Sequence, residues 1–175
     1  MPRQMPRVIA GEEGSSAIEF ALILPPMIAL LMGIFEVTRV VAAEMRLTAA
    51  TQSIADMMAQ QDNVTIAESS NFCTGAKLTM YPLSGTALKA AVASVTKGTS
   101  STAVDWNDTV CGSATAIASA ATLAPTLMPN VGDSVIIVKT SYDYTSPISY
   151  VLAASYTLTA TAYARPRNVA KVTHE

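Results

Sequence analysis

Sixteen consecutive residues from Phe20 to Phe35, FALILPPMIALLMGIF, carry no charge, and Ala17 and Ile18 extend the apolar stretch on its amino side. A helix needs about 20 apolar residues to cross a bilayer, with a lower bound near 17, so this run spans with help from its flanks. The polar start MPRQMPRVIAGEEG holds Arg3 and Arg7 but also Glu12 and Glu13. Arg39 and Arg46 stand on the far side in equal number, so the positive-inside rule gives only weak guidance on orientation.

Glu19 sits at the edge of the apolar run. Burying a carboxylate fully in hydrocarbon costs about 2.5 to 3.5 kcal/mol on insertion scales, and something should compensate it. A secretory signal cut after Val41-Ala42-Ala43 and a plain single-pass anchor are the two simplest readings of the run, and neither does so. A cut immediately before Ser15 does. The new α-amino group would be positive at neutral pH and would lie four residues, about 6 Å of helix rise, from the Glu19 carboxylate. Such an ion pair, within one chain or between helices packed at staggered heights, fixes register even where its net stabilisation is modest.

The stretch Gly14-Ser15-Ser16-Ala17-Ile18-Glu19-Phe20 resembles the processing site of type IV pilin-like proteins, with glycine before the cut and glutamate as fifth residue of the product. The longer GSSAIEFALILP, continuing to GIFEVTR, resembles the TadE/TadG-like pseudopilins of bacterial tight adherence (Tad) pilus systems. In that family the glutamate is followed by Phe or Tyr and an LP dipeptide interrupts the helix; here these are Glu19, Phe20, Leu24 and Pro25. The resemblance implies a pilin-like α+β fold, a long transmembrane and stalk helix packed on a small antiparallel sheet. It implies a minor pilin or pseudopilin, cleaved between Gly14 and Ser15, with Glu19 and Phe20 in register and assembly. The implied partners are a prepilin peptidase, other pilins, an inner-membrane assembly platform and an ATPase-driven machine. The implied location is the inner membrane with the carboxy-terminal domain in the periplasm, or a fibre serving adhesion.

Pro25 and Pro26 in tandem depart from a single-proline pattern. They leave the carbonyls of Ala21 and Leu22 without helix partners, so a bend or loosening is expected there. In a membrane the freed carbonyls are more easily satisfied within a packed assembly. Beyond the run, Val40, Ala43, Leu47, Ala50, Ile54 and Met57 are spaced 3, 4, 3, 4, 3, which lays one apolar stripe along a helix. Glycine is absent from Glu36 to Gln61. The expectation is a nearly continuous helix over residues 15–61, about 70 Å long if straight. The chain thus divides into a removable leader (1–14), an anchor and stalk helix (15–61) and an α+β domain (62–175).

In that last part, residues 77–81 (KLTMY) form a possible strand, and Thr86 can cap a short helix ALKAAVASV that ends near Lys97 and Gly98. Residues 112–125 read as a short helix ending before Pro125 or as a loop. Residues 134–144 alternate so that Ile136, Val138, Thr140, Tyr142 and Tyr144 share one face while Lys139, Ser141 and Asp143 face water. Residues 155–164 group Tyr156, Leu158, Ala160 and Ala162, and the intervening loop predicts an antiparallel pair. The ending RPRN, Arg165 to Asn168, also resembles the end of TadE-like proteins. Cys73 and Cys111, outside any CxxC or Cys/His cluster, read as one disulfide if the region lies outside the cytoplasm, worth about 4 kcal/mol on a chain-entropy basis. Two buried free thiols are the alternative.

Eleven basic and 13 acidic side chains with no basic run give nucleic-acid binding no visible source. No catalytic residue, metal site or cofactor is expected. The one histidine, His174, falls in a tail expected to fray, so no Ser-His-Asp or Cys-His set can be built on it. Asp105, Asn107 and Asp108 cluster oxygens in VDWNDT, but twelve positions from Asp105 comes Ala116 rather than the glutamate a calcium loop needs, and a polar turn is the simpler reading. Trp106 is expected in the core or over the disulfide. The rival functions are a periplasmic binding module released after Ala43, a pseudopilin of a type II-like secretion system and, least supported, an enzyme.

Overall fold

The computed structural model describes residues 13–149 and 154–175, so most of the expected leader, with Arg3, Arg7 and Glu12, lies outside the described residues. Helix α1, Glu13–Ala59, is one element of 47 residues that runs through Pro25 and Pro26. Its outer half uses the expected stripe. Ala43, Leu47, Ala50 and Ile54 are wholly buried, Val40 is half-buried, and Met58, a full turn beyond Ile54, is fully inside where Met57 is half-buried.

The sheet has four strands in the order β3-β2-β4-β5: β2 Leu88–Lys97, β3 Thr102–Cys111, β4 Ser134–Thr145 and β5 Ser155–Ala164. Every pairing in it is antiparallel, with Val92 opposite Val138 and Val138 opposite Ala162. The alternation on β4 is as expected: Ile136, Val138, Thr140, Tyr142 and Tyr144 are buried while Lys139 and Asp143 are exposed. Helix α1 lies across β4 and β5. Between them Thr51 Oγ1 and Thr140 Oγ1 meet at 2.6 Å in the core.

Three expectations fail. The segment ALKAAVASV is the central strand β2 rather than a helix. Its small residues are good helix formers, but from Ala90 to Val95 it is buried on both faces between β3 and β4. Residues 77–81 are the end of helix α2, Ile66–Thr79, and the turn after it rather than a strand. The signal for α2 is a capping box, Thr65 accepting from the Glu68 amide while the Glu68 carboxylate accepts from the Thr65 amide at 2.9 Å. VDWNDT lies within β3 rather than in a turn.

The far face of the sheet is closed by residues 112–128, with a short helix α3 (Ala120–Leu123) followed by a 3-10 turn at Pro125–Leu127. Ile117, Ala120, Ala124 and Met128 pack there on Ala91, Ala93, Val95, Val135 and Ile137. Cys73 of α2 and Cys111 at the end of β3 form the disulfide, with Cα atoms 5.3 Å apart. Gly112 then turns the chain at φ 58°, where a side chain would meet the Leu88 carbonyl at 3.0 Å.

The tail is docked, against the expectation of fraying. Strand β6, Thr173–His174, pairs in parallel with β1, Asn63–Val64. The Arg167 amide donates to the Ala59 carbonyl at 2.9 Å and the Asn168 side chain to the Gln60 carbonyl at 2.9 Å, which satisfies carbonyls left open where α1 ends. Backbone groups at the end of a long helix need partners, and RPRN supplies them.

Candidate functional site

Along α1 the environment changes abruptly. An 18-residue window in its lower part has a mean hydropathy of 2.2 and none of it is buried. Ile18, Leu22, Ile23, Ile28, Leu31 and Met32 are each about 40 to 70% exposed, and at 100° per residue they point to every side of the helix. An amphipathic stripe would leave a polar side for water, and here none exists. Such a surface is at home in lipid or among other apolar helices.

The Gly14–Ser15 bond lies in the first turn of this helix, and Glu19 and Phe20 follow within the next turn and a half, both exposed at the mouth of the apolar surface. Glu19 is engaged in an interaction of its own in the intact chain. Pro25 and Pro26 lie on the bare part, where helical geometry continues past them. Above it, Glu36 is buried to 1% and engaged, and marks where the helix enters the sheet domain. Arg39 then sits 5.4 Å over the Phe35 ring, and Arg46 donates to the Tyr81 carbonyl.

One part of the domain reaches down beside the bare helix. The β4–β5 connection is drawn together by the Ser146 amide donating to the Ala154 carbonyl at 2.9 Å and the Ser149 amide donating to Ser146 Oγ at 3.2 Å. Ile148 in this connection shares a cavity with Leu24, Pro25, Ile28, Ala29 and Met32. From the sequence this connection is only a separator between strands. The available signal is that no charge occurs from Tyr144 to Ala164.

The other residues with chemical potential are absorbed into structure. Asp105 accepts from Thr96 Oγ1 at 2.5 Å and from Lys171 at 3.1 Å, and Asn107 both accepts from and donates to the Ile117 backbone. Asp108 lies 3.1 Å from His174 Nε2. Trp106 packs against the large core, donates to the Val172 carbonyl at 2.8 Å and faces the His174 ring at 5.0 Å. These oxygens are committed to holding β3, the tail and residues 112–118 together.

A small disulfide-braced α+β domain sits on a long helix that is bare and apolar at its amino-terminal end, an arrangement compatible with single-pass anchoring in a membrane. Residues 14–56, which hold Glu19, the bare helix and most of the stalk, match the model of the TadE-like protein family. No curated protein and no solved structure matches the chain.

Proposed function

We propose that the chain is a minor pilin or pseudopilin of a Tad-type pilus, a structural part rather than an enzyme. It is made with a leader that a prepilin peptidase removes between Gly14 and Ser15. The carrying observation is the apolar, uncovered helix with Glu19 at its mouth, four residues after Ser15, inside the TadE-like region. Held in the inner membrane, the mature chain keeps its sheet domain on the periplasmic side, a placement supported by the disulfide, which persists in an oxidising compartment. Assembly exchanges lipid around residues 16–35 for the helices of other pilins, and the Ser15 amino group meets Glu19 of its own or a neighbouring chain and sets the register. Release after Ala43 fits less well, because Ala43 is buried in an unbroken stretch of α1 packed on the sheet domain.

Intact mass and amino-terminal sequencing of protein from membranes, with and without the prepilin peptidase, test this. The mature chain is expected to start at Ser15 only when the peptidase is present, and a start at Glu44 or a retained leader overturns the proposal. Glu19→Ala is then expected to be processed yet to reach sheared fibres or assembled complexes less than wild type. Undiminished incorporation removes the register role.

A further inference from the structure

Leu24, Ile28, Met32, Arg39, Ala42 and Arg46 are three, four or seven residues apart and so lie on one line along α1. Against the lower part of this line stands Ile148, which with wholly apolar neighbours on the helix lines an open groove of about 510 Å³. Against the upper part stand Leu83, Tyr144, Thr145 and Pro147, which with Arg39 and Arg46 enclose about 210 Å³. Pro147 and Ile148 are consecutive, so the two cavities are successive compartments beside one face of the helix. One is greasy and the other carries two guanidinium groups. Among the described residues no carboxylate lines either compartment, and the nearby Glu36, 1% exposed and engaged in an interaction of its own, lines neither.

We propose that this groove binds one anionic phospholipid from the leaflet nearer the sheet domain. An acyl chain lies along Leu24 to Met32 under Ile148, and the phosphodiester headgroup sits between Arg39 and Arg46. The proposal rests on the reading of α1 as a membrane anchor. Depth favours it: Arg39 lies four residues, about 6 Å, beyond Phe35, within the headgroup layer that adds about 5 to 8 Å to each side of the hydrocarbon. Helical side chains lean toward the amino terminus, which brings the long Arg46 side chain back toward the same layer. Chemistry favours it too. A guanidinium offers five donors in a fixed fork suited to phosphate oxygens, and Arg46 keeps most of them after donating to the Tyr81 carbonyl. A zwitterionic lipid brings its own cation to the same place and gains less.

To test this, the full chain is reconstituted in vesicles of equal phosphatidylglycerol and phosphatidylcholine, extracted in mild detergent, and the lipid retained per chain is identified by mass spectrometry. Wild type is expected to retain phosphatidylglycerol preferentially. Arg39→Gln should reduce that preference about fivefold, the usual weight of one cationic contact at a membrane surface. Adding Arg46→Gln should abolish it, and Ile148→Ser should lower retention of both lipids. Should the double variant fail to fold, Arg39→Gln decides alone, because it leaves the Arg46 bond to Tyr81 intact. Equal retention of the two lipids by wild type, or an unchanged preference in Arg39→Gln, overturns the proposal. Displacement of the lipid by excess inorganic phosphate marks a small-anion site and overturns it as well. A chain that does not sediment with the vesicles fails at the earlier step of anchoring, which is seen before any lipid is measured.

Discussion

Asp143 shows how a single side chain ties strands together at the surface. Its carboxylate accepts from Lys89 of β2 at 2.8 Å and from Thr157 of β5 at 3.0 Å, so it spans three strands across β4. The Lys89 hydrogen bond first, and the Thr157 bond second, hold its carboxyl below the ordinary value of 3.8. A folded-state value below the unfolded one contributes stability at pH above the ordinary carboxylate range and loses it as pH falls through the lower folded value. Asp143→Asn is therefore expected to lower Tm slightly at neutral pH, as befits exposed partners, and to match wild type at about pH 2. Melting curves at the two pH values check this, and a gap that persists in acid contradicts it. Glu68 follows the same sign, because its bonds to the Thr65 backbone and side chain favour the ionised form.

At the scale of the element, α1 is one helix with two kinds of surface, buried on the sheet in its outer half and bare in its lower half. Ile54 is fully buried on the sheet, whereas Ile34, twenty residues earlier, is 63% exposed. Ile54→Ala is expected to destabilise the domain by about 2 to 5 kcal/mol through lost contacts and a cavity. Ile34→Ala should change domain stability by less than about 0.5 kcal/mol. Denaturant titration of both variants in detergent separates them, and equal losses contradict this division of the helix. The length of α1 and the strands β4 and β5 are legible in the sequence because their periodicities, 3.6 and 2, are written in large residues facing one core. β2 is not legible that way. Its run of Ala and Val is buried on both faces, so no alternation survives, and small residues carry the helix propensity that misleads. For α2 the signal was present in Thr65 and Glu68, but the β-type residues of KLTMY drew the reading to the helix end.

For the whole molecule, the domain should be separable from the anchor. With residues 1–35 removed, the chain keeps Glu36, the stalk stripe, both cores and the disulfide, and is expected to be soluble without detergent, with Cys73 and Cys111 still joined and a single cooperative unfolding transition. Size-exclusion chromatography, thiol titration and a thermal melt check this, and aggregation with free thiols would show that the lower helix is needed for folding. The sequence alone determined the apolar run, the span of the long helix and the closing strand pair. Each of these is a local pattern, either an uninterrupted apolar run or a repeat matching a backbone period. Only the tertiary structure decided that β2 is a strand, that the tail docks on the end of α1, and that Ile148 stands beside the apolar helix below Arg39 and Arg46. These depend on contacts between residues up to about 120 positions apart, and such contacts carry more free energy than the local propensities they override.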